Sequence, residues 1–109
     1  MSALVTGEVE AKLHKAGKAQ LGQSWAFIVT QDAQVGEVDL KSGDVLYAIV
    51  DDIDSRGQLF LRATKVISAE TKEATPLTLS AMNPVTGLLG LPLPKNLQAG
   101  WRVQWKTEF

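Results

Sequence analysis

The chain has 109 residues, of which 45% are hydrophobic and 21% are charged, and its formal net charge is −1. These values exclude an intrinsically disordered chain and leave room for one hydrophobic core, so we expect a single domain over residues 1–109. The chain has no cysteine, which excludes disulfide bonds and thiolate sites, and its net charge disfavours a strongly basic nucleic-acid-binding protein.

Alternation of apolar and polar side chains predicts the first two strands. Over residues 5–14 the apolar side chains occupy one face and the charged side chains the other, which is typical of a half-buried strand. Residues 15–22 contain two glycines and show no periodicity, so they predict a loop. A second strand is expected at residues 23–30.

Three further strands follow. A short strand is predicted at residues 37–40, and a longer one at residues 45–51 is apolar on both faces, as in a strand buried on both sides. The next strand, at residues 58–66, comes after a tight turn at residues 54–57. Gly57 in this turn is free to adopt positive φ, so the two longer strands are expected to form a β-hairpin.

The C-terminal part is less regular. Residues 67–75 are polar and compatible with one turn of helix, although their β-branched content disfavours it. Four prolines limit regular structure after that to a strand at residues 77–80. Residues 101–106 alternate again and predict a closing strand with one buried face. We therefore expect core strands over residues 4–66 and an extension with a closing strand over residues 67–109.

Five to seven short strands without helical periodicity predict an all-β fold. A small sheet of this kind removes its exposed edges by closing on itself. The predicted fold class is a small, partly closed antiparallel β-barrel that is OB-like, with an SH3-like barrel as the alternative.

Charge is unevenly distributed along the chain. No acid occurs over residues 11–31, a stretch that contains Lys12, Lys15 and Lys18. Residues 32–54 then contain seven acids against one base. This pattern predicts either a barrel with a basic and an acidic side or ordinary solvated faces.

Two aromatic residues, Trp25 and Phe27, occupy alternate positions of the second predicted strand, so both rings lie on one face. The sequence Gln23-Ser24-Trp25-Ala26-Phe27-Ile28 resembles the first RNA-binding motif of the cold-shock domain family, Lys-Gly-Phe-Gly-Phe-Ile. The stretches 7–9 and 40–50 resemble that family's opening Gly-x-Val and its Leu-x-x-Gly-x-x-Val strand. The resemblance covers residues 5–66 and implies an OB-fold in which Trp25 and Phe27 stack on bases.

The predicted function is a non-enzymatic binding module for single-stranded DNA or RNA. In such modules aromatic rings stack on bases while lysines and arginines bind phosphates. The candidate binding residues are Trp25, Phe27, Phe60, Lys12, Lys15, Lys18, Arg62 and Lys65. The alternative for Trp25 and Phe27 is that both pack beneath the C-terminal extension.

A second candidate function rests on the leucine-rich segment at residues 85–94. Its leucines cannot alternate as a strand because prolines and glycines interrupt them. They either plug one end of the barrel or form an interface with a partner protein or a second copy of this chain. We expect the interface, and hence a homo-oligomer. The interface residues would be Leu88, Leu89, Leu91 and Leu93.

The sequence predicts neither catalysis nor a cofactor. His14 is the only histidine and lies on the polar face of the first strand, apart from any nucleophile motif. The acidic stretch 51–57 is not a calcium loop, since Arg56 and Ala63 stand where oxygen ligands are needed. We predict no enzyme activity, no metal and no cofactor. The start of the chain lacks the pattern of a signal peptide, and no apolar run reaches the ~20 residues of a membrane span, so we expect a cytoplasmic protein.

Overall fold

The computed structural model describes residues 5–17, 20–83, 86, 89–92 and 98–107. Within these residues the chain forms ten β-strands and no helix. The strands are, in chain order, β1 (Val5–Thr6), β2 (Glu8–Leu13), β3 (Ser24–Val29), β4 (Ala33–Val35), β5 (Val38–Leu40), β6 (Val45–Ile53), β7 (Gln58–Ile67), β8 (Ala74–Met82), β9 (Leu91–Pro92) and β10 (Arg102–Lys106).

Six of these strands close into an antiparallel barrel. Strand β2 pairs with β3, β3 with β6, β6 with β7, β7 with β8, β8 with β10, and β10 with β2. The pairing of β10 with β2 joins the two ends of the sheet. The predicted fold class, a small all-β antiparallel barrel, is confirmed, and the barrel is closed.

The barrel strands follow one another in an up-and-down order. Each wall strand pairs with the wall strands before and after it in the sequence. An OB-fold is likewise a small barrel, but its five strands are connected as a Greek key. The C-terminal strands β8 and β10 are therefore part of the wall, and the predicted closing strand at residues 101–106 is confirmed as β10.

A second, small sheet packs against the barrel. Strand β1 pairs in parallel with β4, and β4 pairs antiparallel with β5. Ala33, Val35 and Leu40 from this sheet are buried in the same core as the barrel residues. Strand β5 confirms the short strand expected at residues 37–40, whereas β4 was not anticipated. The strand expected at residues 77–80 is longer than predicted, since β8 begins at Ala74.

Large and small side chains alternate inside the barrel. The rings of Phe27 and Trp105 meet edge to face, with centroids 5.1 Å apart and planes at 74°. In the strand register Trp105 lies opposite Ala81, and Trp25 lies opposite Ala48. Pairing a large ring with a methyl group on the facing strand fills a narrow barrel without overlap.

A buried carboxylate connects two turns at one end of the barrel. Asp44 is 7% exposed, and it accepts the backbone N–H groups of Lys41 at 2.9 Å and Ala69 at 3.0 Å. These hydrogen bonds compensate the loss of water around the charge. They also fix the residues after β7, where Lys72 N donates to Ser68 O at 3.0 Å. This hydrogen bond closes a single α-turn, which does not continue as a helix.

The hairpin turn at residues 54–57 is confirmed. Asp54 Oδ1 accepts the backbone N–H groups of Arg56 and Gln58, both at 2.9 Å. Gly57 N donates to Asp54 O at 3.1 Å, and Gly57 has a φ of 76°. A residue with a side chain is strained in this left-handed conformation, which explains the glycine.

We expect Gly57→Ala and Gly90→Ala to differ in cost. Both glycines have positive φ, so alanine strains the backbone by ~1–2 kcal/mol at each position. An added Cβ meets nothing within 4 Å at Gly57, but at Gly90 it would lie 3.0 Å from the Phe60 ring. Urea unfolding followed by circular dichroism should therefore show the larger loss for Gly90→Ala. Equal losses would contradict the packing of Phe60 on Gly90.

Candidate functional site

The rings of Trp25 and Phe27 lie inside the barrel. Phe27 is fully buried against Trp105, and Trp25 is only 7% exposed. A ring can stack on a base only when its face is open to solvent. The prediction that these rings form an exposed stacking platform is therefore wrong, because turning the aromatic face of β3 inward removes more apolar area from water than burying Ala26 and Ile28.

Tyr47 lies on the outside of the barrel. The inner-face residues of β6 are buried, whereas Tyr47 and its neighbours Val45 and Ile49 are half-buried on the outer face. The prediction that β6 is buried on both faces is wrong. The described part of the chain covers only part of its outer face here. The outer face of β6 thus presents an aromatic ring that can be reached from solvent.

A β-bulge at Thr64 turns Lys65 toward Tyr47. In the register of β6 and β7, Tyr47 pairs with Lys65 and Ala48 pairs with Ala63, so Thr64 has no partner. The inserted residue shifts the alternation by one, which leaves Ala63 inside and Lys65 outside. Lys65 Nζ lies 5.3 Å from the centroid of the Tyr47 ring, within the range of a cation–π contact.

Tyr47 forms one side of a cleft of about 310 Å³, which we call the Tyr47 cleft. Ala26 lies directly opposite Tyr47 in the strand register, and its small side chain leaves space beside the ring. His14 N donates to Ala26 O at 3.0 Å, which fixes the start of the loop after β2 above the cleft. The lining residues are Leu13, His14, Lys15, Ala16, Gly17, Ser24, Trp25, Ala26 and Tyr47.

The rim of the Tyr47 cleft is basic. Lys15 and His14 are exposed in the loop, and Lys65 is exposed beside the ring. The ion pairs found among the described residues involve neither lysine. The positive charge at this rim is therefore uncompensated in the described part of the chain.

The predicted phosphate-binding residues are divided between the cleft and its surroundings. Lys15 lines the cleft, Lys65 contacts Tyr47, and Lys12 is exposed on the outer face of β2. Arg62 lies in the neighbourhood but forms an exposed ion pair with Asp51 at 3.5 Å. Lys18 lies outside the described residues.

Phe60 lies apart from the cleft. It is five residues from Lys65 along β7, a separation of about 16 Å in an extended strand. Its half-buried ring packs against Gly90, as described above. The structure therefore does not bring Phe60 together with the other predicted binding residues.

The leucine-rich segment divides between core and surface. Leu91 is 5% exposed and pairs with Leu59 in the β7–β9 ladder, so its prediction as an exposed interface residue is wrong. Leu89 is 39% exposed. Leu88 and Leu93 lie outside the described residues.

No family model matches the chain, and a search of curated proteins finds no match. Within the described ranges, no helix is long and apolar enough to cross a membrane. The same ranges contain no group of three or more His, Cys, Asp or Glu side chains that could hold a metal ion. The geometry and charge of the Tyr47 cleft are therefore the features that bear on function.

We expect Leu91→Ala and Leu89→Ala to separate core from surface in this segment. Leu91→Ala leaves a cavity and should lower the free energy of unfolding by ~2–5 kcal/mol. Leu89→Ala should change it by less than ~0.5 kcal/mol, because the side chain is already in contact with water. Urea denaturation of both variants measures the difference, and a stable Leu91→Ala protein would show that the segment does not plug the barrel.

Proposed function

We propose that this protein binds a single strand of DNA or RNA through the Tyr47 cleft. The observation that supports the proposal is an outward aromatic ring with an ammonium group 5.3 Å from its centroid, in a cleft with a basic rim. Proteins that bind single strands combine ring faces for the bases with positive charge for the backbone. Tyr47 takes the role that the sequence had suggested for Trp25 and Phe27.

The size of the cleft suits a nucleobase. Its volume of about 310 Å³ lies at the lower end of the ~300–1,000 Å³ range of small-ligand sites. A base that stacks on Tyr47 would lie over Ala26, whose methyl group leaves room for a flat ring. The adjoining phosphates would then lie within reach of Lys15 and Lys65.

The proposed binding is modest in affinity and sensitive to salt. Lys15 and Lys65 would release counterions on neutralising phosphates, which gives a slope of about −1.4 in log K against log salt for a single strand. The net charge of −1 gives no general attraction to a polyanion, so the local basic rim must supply it.

The proposal contains no chemical step and no cofactor. It also includes the cytoplasmic location expected from the sequence, which is in keeping with a small chain that has no cysteine. The resemblance to cold-shock domains supports only the kind of ligand, a single strand. It does not support the location of the site, because the rings that carry that resemblance are buried.

A partner protein or a second copy of this chain is the second candidate ligand. The observation that favours it is the exposure of two large apolar side chains, Leu21 at 66% and Leu89 at 39%. Light scattering at high protein concentration tests this candidate separately from nucleic-acid binding. A dimer that dissociates in Leu89→Asp would support it.

We expect Tyr47→Leu to weaken binding of oligothymidylate about tenfold or more at low salt. Leucine keeps the apolar bulk of the side chain but removes the ring face, and stacking is worth ~1–3 kcal/mol per base. Tyr47→Phe, the matched control, keeps the ring and should bind within about threefold of the wild type. Fluorescence titration measures all three proteins, because Trp25 lines the same cleft.

Two outcomes would count against the proposal. One is a folded Tyr47→Leu protein whose affinity equals that of the wild type, which would remove Tyr47 from the site. The other is a wild-type protein that binds neither oligothymidylate nor oligouridylate at low salt, which would remove the nucleic acid altogether.

A further inference from the structure

A second cleft borders the Tyr47 cleft on the other side of His14. It has a volume of about 360 Å³, and we call it the Gly100 cleft. Leu13 and His14 line both clefts, so the two spaces adjoin. The lining residues of the second cleft are Lys12, Leu13, His14, Ile28, Ala99 and Gly100.

Backbone hydrogen bonds fix the boundary between the two clefts. Leu13 N donates to Trp101 O at 2.7 Å, and Gly100 N donates to Leu13 O at 2.8 Å. The side chain of Leu13 is only 3% exposed, so His14 is the shared side chain that stands in solvent. A polymer that extends from the first cleft to the second would therefore pass beside His14.

Two positive side chains face each other beside the Gly100 cleft. Lys12 on β2 and Arg102 on β10 are direct partners in the antiparallel register, and both are exposed. Like charges at directly opposite positions destabilise a sheet. Glu10 offsets part of the repulsion, with its Oε1 3.7 Å from Arg102 Nη1, but Lys12 forms no ion pair with a described residue.

Charge changes sign along the outer face of β2. Glu8 and Glu10 occupy one end of this face, and Lys12 occupies the other. An anionic polymer is therefore repelled from the first end and attracted to the second. The basic end is the one that adjoins both clefts.

We propose that the Gly100 cleft is a second subsite for the same single strand, in which Lys12 binds a phosphate and Arg102, its partner in the β2–β10 register beside the cleft, adds positive charge. This inference rests on the proposed function of the Tyr47 cleft. The strand would cross β6, β3, β2 and the start of β10, a path of about 14 Å at the usual spacing of strands. A bound phosphate would also relieve the repulsion between the two basic side chains.

The test compares a short and a long ligand. Oligothymidylates of about two and about eight nucleotides are titrated at low salt, since the shorter ligand cannot span the path of about 14 Å and single barrels of this kind cover ~4–16 nucleotides. The proteins are the wild type, Lys12→Gln and Lys72→Gln. Lys72→Gln is the matched control, because it makes the same change of charge in the exposed turn between β7 and β8. Thermal melting of each protein without ligand is measured in parallel.

The proposal predicts an effect that depends on length. Lys12→Gln should weaken binding of the long ligand about threefold to tenfold and lower its salt slope by about 0.7, with the short ligand unaffected. Lys72→Gln should change neither affinity. Unliganded Lys12→Gln should melt at an equal or higher temperature than the wild type, since a repulsion has been removed.

Three other results would overturn the inference, and they differ in what they imply for the Tyr47 site. If the wild type binds both ligands but Lys12→Gln affects them equally or not at all, the second subsite is wrong and the Tyr47 site stands. A lower melting temperature of unliganded Lys12→Gln would contradict the argument from repulsion and also overturn the subsite. If the wild type binds neither ligand, the proposed function fails and the subsite fails with it.

Discussion

The packing of Phe27 against Trp105 fixes which face of β3 and which face of β10 point into the barrel. Both rings are fully buried, and loss of either would cost about 3–5 kcal/mol. The side chains of a strand alternate with a period of two, so one inward residue sets the parity of its strand until a bulge intervenes. The indole N–H of Trp105 has no hydrogen-bond partner among the described residues. Leaving a buried donor unpaired costs ~1–3 kcal/mol, and the free energy gained by packing the ring must exceed this cost.

The outer surface follows from this parity. With Phe27 inside, Ala26 must point outward, and its register partner Tyr47 points outward with it. The bulge at Thr64 then places Lys65 on the same surface, because an unbroken alternation from Ala63 would have turned Lys65 into the lumen. The candidate site is therefore a consequence of how the core is filled and of one inserted residue in β7.

Alternation along the sequence was sufficient to predict most of the wall strands and a small, partly closed barrel, but not its full closure or the direction of the strand faces. In β3 it placed Trp25 and Phe27 on one side without showing that this side faces the lumen. In β6 both faces are apolar, and only the hydroxyl of Tyr47 distinguishes the outer one. The buried residues of β7 break the period of two, and this break is the signal in the sequence for the bulge. They are Leu59, Leu61, Ala63 and Val66. The Gly100 cleft depends on pairing between β2 and β10, which are far apart in the sequence.

In the proposed function, the outer face of β3 and β6 binds a single strand while the aromatic core stays closed. The most direct measurement is an NMR titration of the isotopically labelled protein with oligothymidylate at low salt. We expect amide shifts to change at Ala26, Tyr47, Lys65 and the loop at residues 14–17, and to stay constant at Thr78, which is exposed on β8. Shifts confined to β8, or no shifts at saturating ligand, would contradict the proposed function.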